Sequence, residues 1–255
     1  MFKWLSGYLQ QRIITRTPVT EAEWSEAFST LPILSGLTGD ERQRLQQLAI
    51  LFMHYKTFEA AQGLVLNRQM QLSISLQACL PILELGLQSY NGWVAVIVYP
   101  ASFITRQEMT DSSGVVHQQR ANLLGEAWQR GPVIINWQEA KTAAEIDGHN
   151  LLIHEFAHKL DMQNGVANGF PPLHAGMKTD DWVGAFSAGF EHFQYHCDND
   201  ALYGIDCYAA TSPAEFFAVF SEVFFERPGI IRQHYPAIYT QLLAYYRQDP
   251  LKRLS

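Results

Sequence analysis

His154-Glu155-Phe156-Ala157-His158 sets two imidazoles four residues apart, with a carboxyl group beside the first. A helix advances about 100° per residue, so positions four apart lie one above the other on a single face. Two histidines so placed can share one tetrahedral Zn²⁺, and the adjacent glutamate can reach a water molecule on the metal. The pattern reads as a zinc hydrolase, and a peptidase first among them. The competing reading is a buried helix carrying two hydrogen-bonded histidines. Two imidazoles and a carboxylate among Leu151, Leu152, Ile153 and Leu160 need polar partners or a cation, which favours the metal.

A catalytic zinc takes three protein ligands and keeps one position open. The motif extension that supplies a third histidine needs glycine and histidine where this chain has Asp161 and Asn164. A carboxylate from a later helix is the remaining common solution. The segment from Tyr208 to Glu222 offers two, Glu215 and Glu222, almost two turns apart and able to share a face. Thr211 or Ser212 can cap that helix, Pro213 suits its first turn, and Phe216, Phe217, Val219, Phe220, Val223 and Phe224 make it apolar around most of its circumference. Spacing leaves both acids open, although Ala214 and Ala218 give room for close approach at Glu215. The other acid then orients a ligand or stands as an ordinary surface carboxylate. Asp161, one turn past His158, could take an imidazole N–H, or pair with Lys159 or water.

These residues carry a resemblance. His154-Glu-Phe-Ala-His-Lys-Leu-Asp161, followed by Asp206-Cys-Tyr208-Ala-Ala-Thr-Ser-Pro-Ala-Glu215-Phe-Phe-Ala-Val, resembles the Mlc titration factor A family of bacteria. Further matching blocks are Cys79 to Gly86, Val98 to Phe103, Gly131 to Trp137 and Gln248-Asp-Pro-Leu. Members are glucose-regulated zinc metallopeptidases whose catalytic region is similar to that of anthrax lethal factor. The resemblance implies one Zn²⁺ held by His154, His158 and Glu215, with Glu155 as general base and Tyr208 in a catalytic role. It also implies aminopeptidase-type activity on a peptide substrate, a cytoplasmic location, and binding of the glucose-responsive repressor Mlc. A second reading keeps the fold as a regulatory binding protein that sequesters a transcriptional repressor, with zinc mainly structural.

Composition sets the outer limits. The 255 residues are 47% hydrophobic and 17% charged, the balance of a folded globular chain. A net charge of −7 with no basic cluster argues against a nucleic-acid partner. No apolar stretch approaches the ~20 residues of a membrane span. The first dozen residues lack the apolar run and cleavage site of a secretory leader, and read as a docked terminus or as a short amphipathic helix with Phe2, Leu5 and Leu9 on one side. The 3 cysteines form no Cys-x-x-Cys pair, so no disulfide scaffold is expected and a reducing cytoplasm fits. His192 and His196 repeat the four-residue spacing, but in a polar, aspartate-rich setting that reads as a solvated helix face.

The elements that must position the site follow from caps and periodicity. Thr20-Glu-Ala-Glu23 and Thr38-Gly-Asp-Glu41 are capping boxes that open two helices, the second continuing towards Phe58. A third helix is expected near 70–85, bent or shifted by Pro81. Asn91-Gly92 marks a turn, after which Trp93–Tyr99 and Pro132–Trp137 read as strands. Two more strands are expected near 102–107 and 115–119, separated by Asp111-Ser-Ser-Gly114. The metal helix runs from Asn150 to a stop at Gly165, with Asp147 or Asn150 as its cap. A loop over 164–178 borders the cleft, and helices near 180–197, 213–226 and 236–247 close the chain. The expected class is α+β, a zincin-like metallopeptidase fold: N-terminal helices, a small mixed sheet, an active-site helix and C-terminal helices. Residues 1–19 form a leader and 20–255 the domain, divided into a helical part (20–90) and a catalytic core (91–255).

Overall fold

A computed structural model describes residues 2–101, 104–110, 116–122, 131–142, 145–197 and 203–254. The helices α1 (Phe2–Arg16), α2 (Glu21–Ser29) and α3 (Gly39–Tyr55) come first, and β1 (Thr57–Ala60) follows. Thr20 and Thr38 each close a capping box with the glutamate three residues on, as their spacing predicts. In both, the threonine hydroxyl takes one orphan N–H of the first turn and the glutamate takes the cap's own N–H. The helix expected near 70–85 is α4 (Arg68–Cys79), which is capped by Asn67 and stops ahead of Pro81, whose ring and missing N–H cannot continue it.

The strand β2 (Ala95–Tyr99) pairs in parallel with β1 on one side and with β5 (Val133–Asn136) on the other. Between them in sequence, β3 (Ile104–Thr110) and β4 (Val116–Asn122) make a separate antiparallel ribbon. The expected mixed sheet is therefore corrected: the three-stranded sheet is parallel, and antiparallel pairing is confined to the ribbon. The crossover through α4 returns the chain to the same end of the sheet and makes β1 and β2 parallel, and the segment carrying the ribbon does the same between β2 and β5. The turn expected at Asp111–Gly114 lies outside the described residues. β1 also corrects the reading of residues 56–58 as helix. Thr57 and Phe58 align with Ala95 and Val96, and that distant partner outweighs local helical periodicity.

The chain continues through α5 (Trp137–Thr142), α6 (Leu151–Asp161), α7 (Thr179–Cys197), α8 (Pro213–Glu226), α9 (Pro228–His234), α10 (Pro236–Tyr246) and α11 (Pro250–Arg253). α9 is an addition to the sequence reading. The centre of the molecule is α8, where every side chain from Phe216 to Glu226 is buried. Its aromatic residues meet α7 through Phe186, Phe190 and Phe193, and meet α10 through Tyr245 and Tyr246. Its other side packs on α6. A second aromatic cluster of Phe52, Tyr90, Trp93 and Phe156 anchors α6 to the N-terminal half. Each such ring contributes about 2–3 kcal/mol by burial. The buried ammonium of Lys159 reaches across to donate to the Gly131 carbonyl at 3.0 Å, tying α6 to the entry of β5.

Two of the three cysteines are joined: Cys197, at the end of α7, is disulfide-bonded to Cys207, with Cα atoms 5.7 Å apart. No disulfide scaffold is expected from the sequence, and that expectation does not foresee this single bond. An odd count excludes only complete pairing, whereas proximity of two backbones in the fold decides which thiols can meet. The cysteines therefore no longer argue for a reducing compartment. No helix among the described residues is long and apolar enough to cross a membrane.

Candidate metal centre

α6 begins where expected, with Asn150 as its cap, its side-chain oxygen accepting the Ile153 N–H at 3.0 Å. The helix passes through a short 3-10 turn and ends at Gly165, whose φ of 146° suits glycine. Its apolar face goes into the core, and this leaves His154 and His158 together on the side facing α8.

Glu215 meets them from the first turn of α8. Ser212 caps that helix by accepting the Glu215 N–H at 3.2 Å, and Pro213 occupies the first position. Ser212-Pro-Ala-Glu215 has the form of a capping box, but the glutamate side chain turns to the histidines. Glu215 Oε2 lies 3.0 Å from His154 Nε2 and 3.2 Å from His158 Nε2. The two Nε2 atoms are 3.1 Å apart. A tetrahedral cation with bonds of about 2.0 Å separates its ligand atoms by about 3.3 Å. The triangle therefore fits a divalent metal, and its two imidazoles and one carboxylate suit such an ion chemically. Among the described residues these three form the one group of His, Cys, Asp or Glu close enough to hold a metal. His192 and His196 do not join one: His192 Nδ1 lies 3.3 Å from the Tyr235 hydroxyl, and His196 Nδ1 bonds the His192 carbonyl.

The charges at the triangle support one another. Burial opposes ionisation of Glu215, but hydrogen bonds with His154 and His158 outweigh it and hold its pKa well below the usual carboxylate range. Burial also opposes charge on His154, and hydrogen bonds to Glu215 and Glu222 outweigh it there too, raising its pKa.

Glu155 is only 1% exposed, and its Oε2 is buried with no hydrogen-bond partner among the described residues. Burial drives its pKa well above the ordinary value; Glu215 and Glu222 add to the rise, while His154 and Lys159 oppose it. A buried carboxyl oxygen without a hydrogen-bond partner is uncommon in a folded protein.

Tyr208 lies in the short 3-10 segment Cys207–Ala210. Asp206 holds that segment by accepting the Tyr208 backbone N–H at 2.9 Å, and the disulfide at Cys207 ties it to α7. Tyr208 is 51% exposed and its ring centroid lies 6.1 Å from that of His154. It thus flanks the histidines at the solvent edge of the site.

Glu222 reads in the sequence as a rival ligand, as an acid that orients a ligand, or as a surface carboxylate, and its contacts are those of the orienting acid. It is buried, with Oε1 at 2.7 Å from His154 Nδ1 and Oε2 at 2.5 Å from the Asn150 backbone nitrogen. Asp161 does not take an imidazole N–H. Its Oδ2 accepts the Asn168 and Gly169 N–H groups at 2.8 and 2.7 Å, shaping the loop beyond α6. Gly169 has a φ of 76° and its α-carbon faces the Pro213 carbonyl so closely that a Cβ would overlap it. Sequence reasoning missed Glu226, which accepts from Gly148 N and Asn150 Nδ2, both at 2.9 Å. The signal was available: Glu215, Glu222 and Glu226 fall on one face of an otherwise apolar helix.

Comparison with known proteins agrees with this chemistry. The model of the glucose-regulated metallo-peptidase M90 family matches residues 5–247. The chain is 40% identical to Mlc titration factor A of Cronobacter sakazakii over 231 residues, covering 90% of this chain and 87% of that one. It is 39% identical to the proteins of the same name from Klebsiella pneumoniae over 236 residues and Yersinia pestis over 237, covering 92% of this chain in both cases and 89% and 87% of theirs. With a metal-ready triangle at its centre and likeness along nearly its whole length, the chain belongs to the glucose-regulated metallopeptidase family M90.

Proposed function

We propose that this protein is a zinc-dependent peptidase of gluzincin type, with His154, His158 and Glu215 as metal ligands, Glu155 as general base and Tyr208 as oxyanion donor. The observation that carries the reading is the triangle itself. Three lone-pair atoms 3.0–3.2 Å apart repel one another unless a proton or a cation lies between them. Zinc suits two imidazoles and a carboxylate, and when bound it supplies Lewis acidity that polarises a scissile carbonyl and acidifies water.

The chain's own residues do the rest. Glu155 accepts a proton from the attacking water and returns it to the departing amine nitrogen. Tyr208, beside His154 and open to solvent, donates its phenol to the oxygen that gains charge as the carbonyl becomes tetrahedral. The hydrophobic wall of α8 and α6 keeps bulk water from the ligands, which strengthens each of these contacts. We extend the reading to an aminopeptidase-type substrate, to a zincin-like fold, and to residues 20–255 as one catalytic unit after a leader at 1–19. A single buried apolar cluster that runs from Trp24 to Tyr246 supports that unit. Metal content by elemental analysis, paired with peptide turnover before and after chelation, tests the proposal. Stoichiometric zinc with chelator-sensitive turnover is expected; a metal-free protein that still cleaves peptides would refute it.

A second role is favoured by the relatives, which carry the name Mlc titration factor A. We propose that this chain also binds a Mlc-type repressor, in a cytoplasmic setting, as a peptide-cleaving protein with a regulatory partner. The Glu155→Gln variant separates the two roles, since it should lose hydrolysis and still capture the repressor.

A further inference from the structure

We propose that Glu222 is the positioning residue of the metal centre, fixing the ring of His154 and the start of its helix with one carboxylate. The inference rests on the ligand assignment above. A carboxylate oxygen only accepts, so the 2.7 Å contact between Glu222 Oε1 and His154 Nδ1 requires the ring to carry its proton there. When the ring is neutral, as a metal ligand must be, the lone pair is then left on Nε2, the atom that faces Glu215 and His158. The other oxygen, Oε2, accepts the backbone N–H of Asn150 at 2.5 Å. Asn150 is the cap of α6 and lies one turn before His154, whose N–H bonds the Asn150 carbonyl at 2.9 Å. A single group on α8 thus sets the ring's rotation, its protonation pattern and the position of the backbone that carries it.

Two internal contrasts sharpen the assignment. Glu226, one turn further along α8, bonds the same cap residue through Asn150 Nδ2 and also holds Gly148 N, yet makes no contact with the ring. It serves the loop before α6; Glu222 serves both loop and ligand. His158, by contrast, has its Nδ1 buried with no hydrogen-bond partner among the described residues. The orientation of the imidazole pair therefore depends on Glu222 at one ring only.

The test uses the full-length chain with ¹⁵N-labelled histidine, together with Zn²⁺ titration against a chromophoric chelator. In the wild type, His154 Nδ1–H should be present and protected from exchange in both the metal-free and zinc-loaded forms. Glu222→Gln keeps the size but offers one acceptor oxygen to two N–H donors, so it should remove that protection and weaken Zn²⁺ about 10–100-fold. Glu226→Gln should leave both readouts within about twofold of wild type. An unprotected or unprotonated His154 Nδ1 in the wild type would overturn the proposal with no variant needed. Equal loss of affinity in Glu222→Gln and Glu226→Gln would overturn it too, since loop anchoring would then explain the effect. A wild type that bound no zinc would end the peptidase reading, while the ring measurement on the metal-free protein would still decide the role of Glu222.

Discussion

The two histidines of α6 lie one turn apart and face the same glutamate, yet the two ends of their helix are held in different ways. At the first end, Glu222 and Glu226 reach over from α8 and take the Asn150 and Gly148 nitrogens, with His154 inside the network. At the second end, Asp161 takes the Asn168 and Gly169 nitrogens and draws the following loop against Pro213, with His158 outside that network. The first arrangement aligns a ligand, whereas the second shapes a loop. Both use a buried carboxylate to collect backbone N–H groups near a helix end, so similar chemistry serves unlike purposes.

The largest effect should come from the acid beside the first ligand, which belongs to neither network. Glu155→Gln should lower kcat by about 10²–10⁴-fold while zinc content by elemental analysis stays at the wild-type level. Tyr208→Phe, which leaves both ends of α6 intact, should reduce kcat by about 10²-fold with zinc retained. An unchanged kcat would limit the ring to a packing role. Reduction of the Cys197–Cys207 disulfide touches neither end directly. With a separation of 10 residues it should cost about 3 kcal/mol, seen as a lower thermal midpoint in dithiothreitol.

The remaining two predictions break one end at a time. Asp161→Asn should destabilise the fold by about 1–3 kcal/mol and expose the loop after Gly165 to proteolysis, with Zn²⁺ affinity nearly unchanged. Loss of zinc there would merge the two ends into one functional unit. At the other end, burial raises the pKa of Glu226 to about 8. A carboxyl group whose folded pKa lies above its unfolded value of 4.5 contributes stability that is complete below pH 4.5 and lost as pH climbs through about 8. The wild type should therefore lose up to about 1.4 kcal/mol per pH unit from this group across that window. Glu226→Gln should flatten that part of the curve in denaturant titrations; an unaltered slope would mean that Glu226 is ionised in the fold.

The parts legible in the sequence were those governed by neighbours a few residues away. Thr20 and Thr38 specify their helices through a glutamate three positions on, and Asn150, Ser212, Pro213 and Gly165 specify theirs in the same local manner. His154 and His158 needed only the helical repeat to be brought onto one face. Residues 57–60 illustrate the opposite case. The first two read as the continuation of a helix, yet β2 recruits all four as a strand, because a parallel ladder is made by a partner far along the chain. Cys197 and Cys207 show the same limit. Counting thiols could not foresee that α7 and the turn before α8 end side by side.

The sequence by itself determined the ligand types, their helical spacing and the caps that start the two helices, since these depend on torsions and contacts within a turn or two. Only the tertiary structure decided what the acids of α8 do. Glu215 faces two Nε2 atoms, Glu222 divides its oxygens between a ring and a backbone, and Glu226 serves a loop. Along α8 they are three similar carboxylates in an apolar helix. They acquire different partners because α6 crosses that face in one register, and burial leaves each oxygen to be satisfied by whatever donor that register brings within reach.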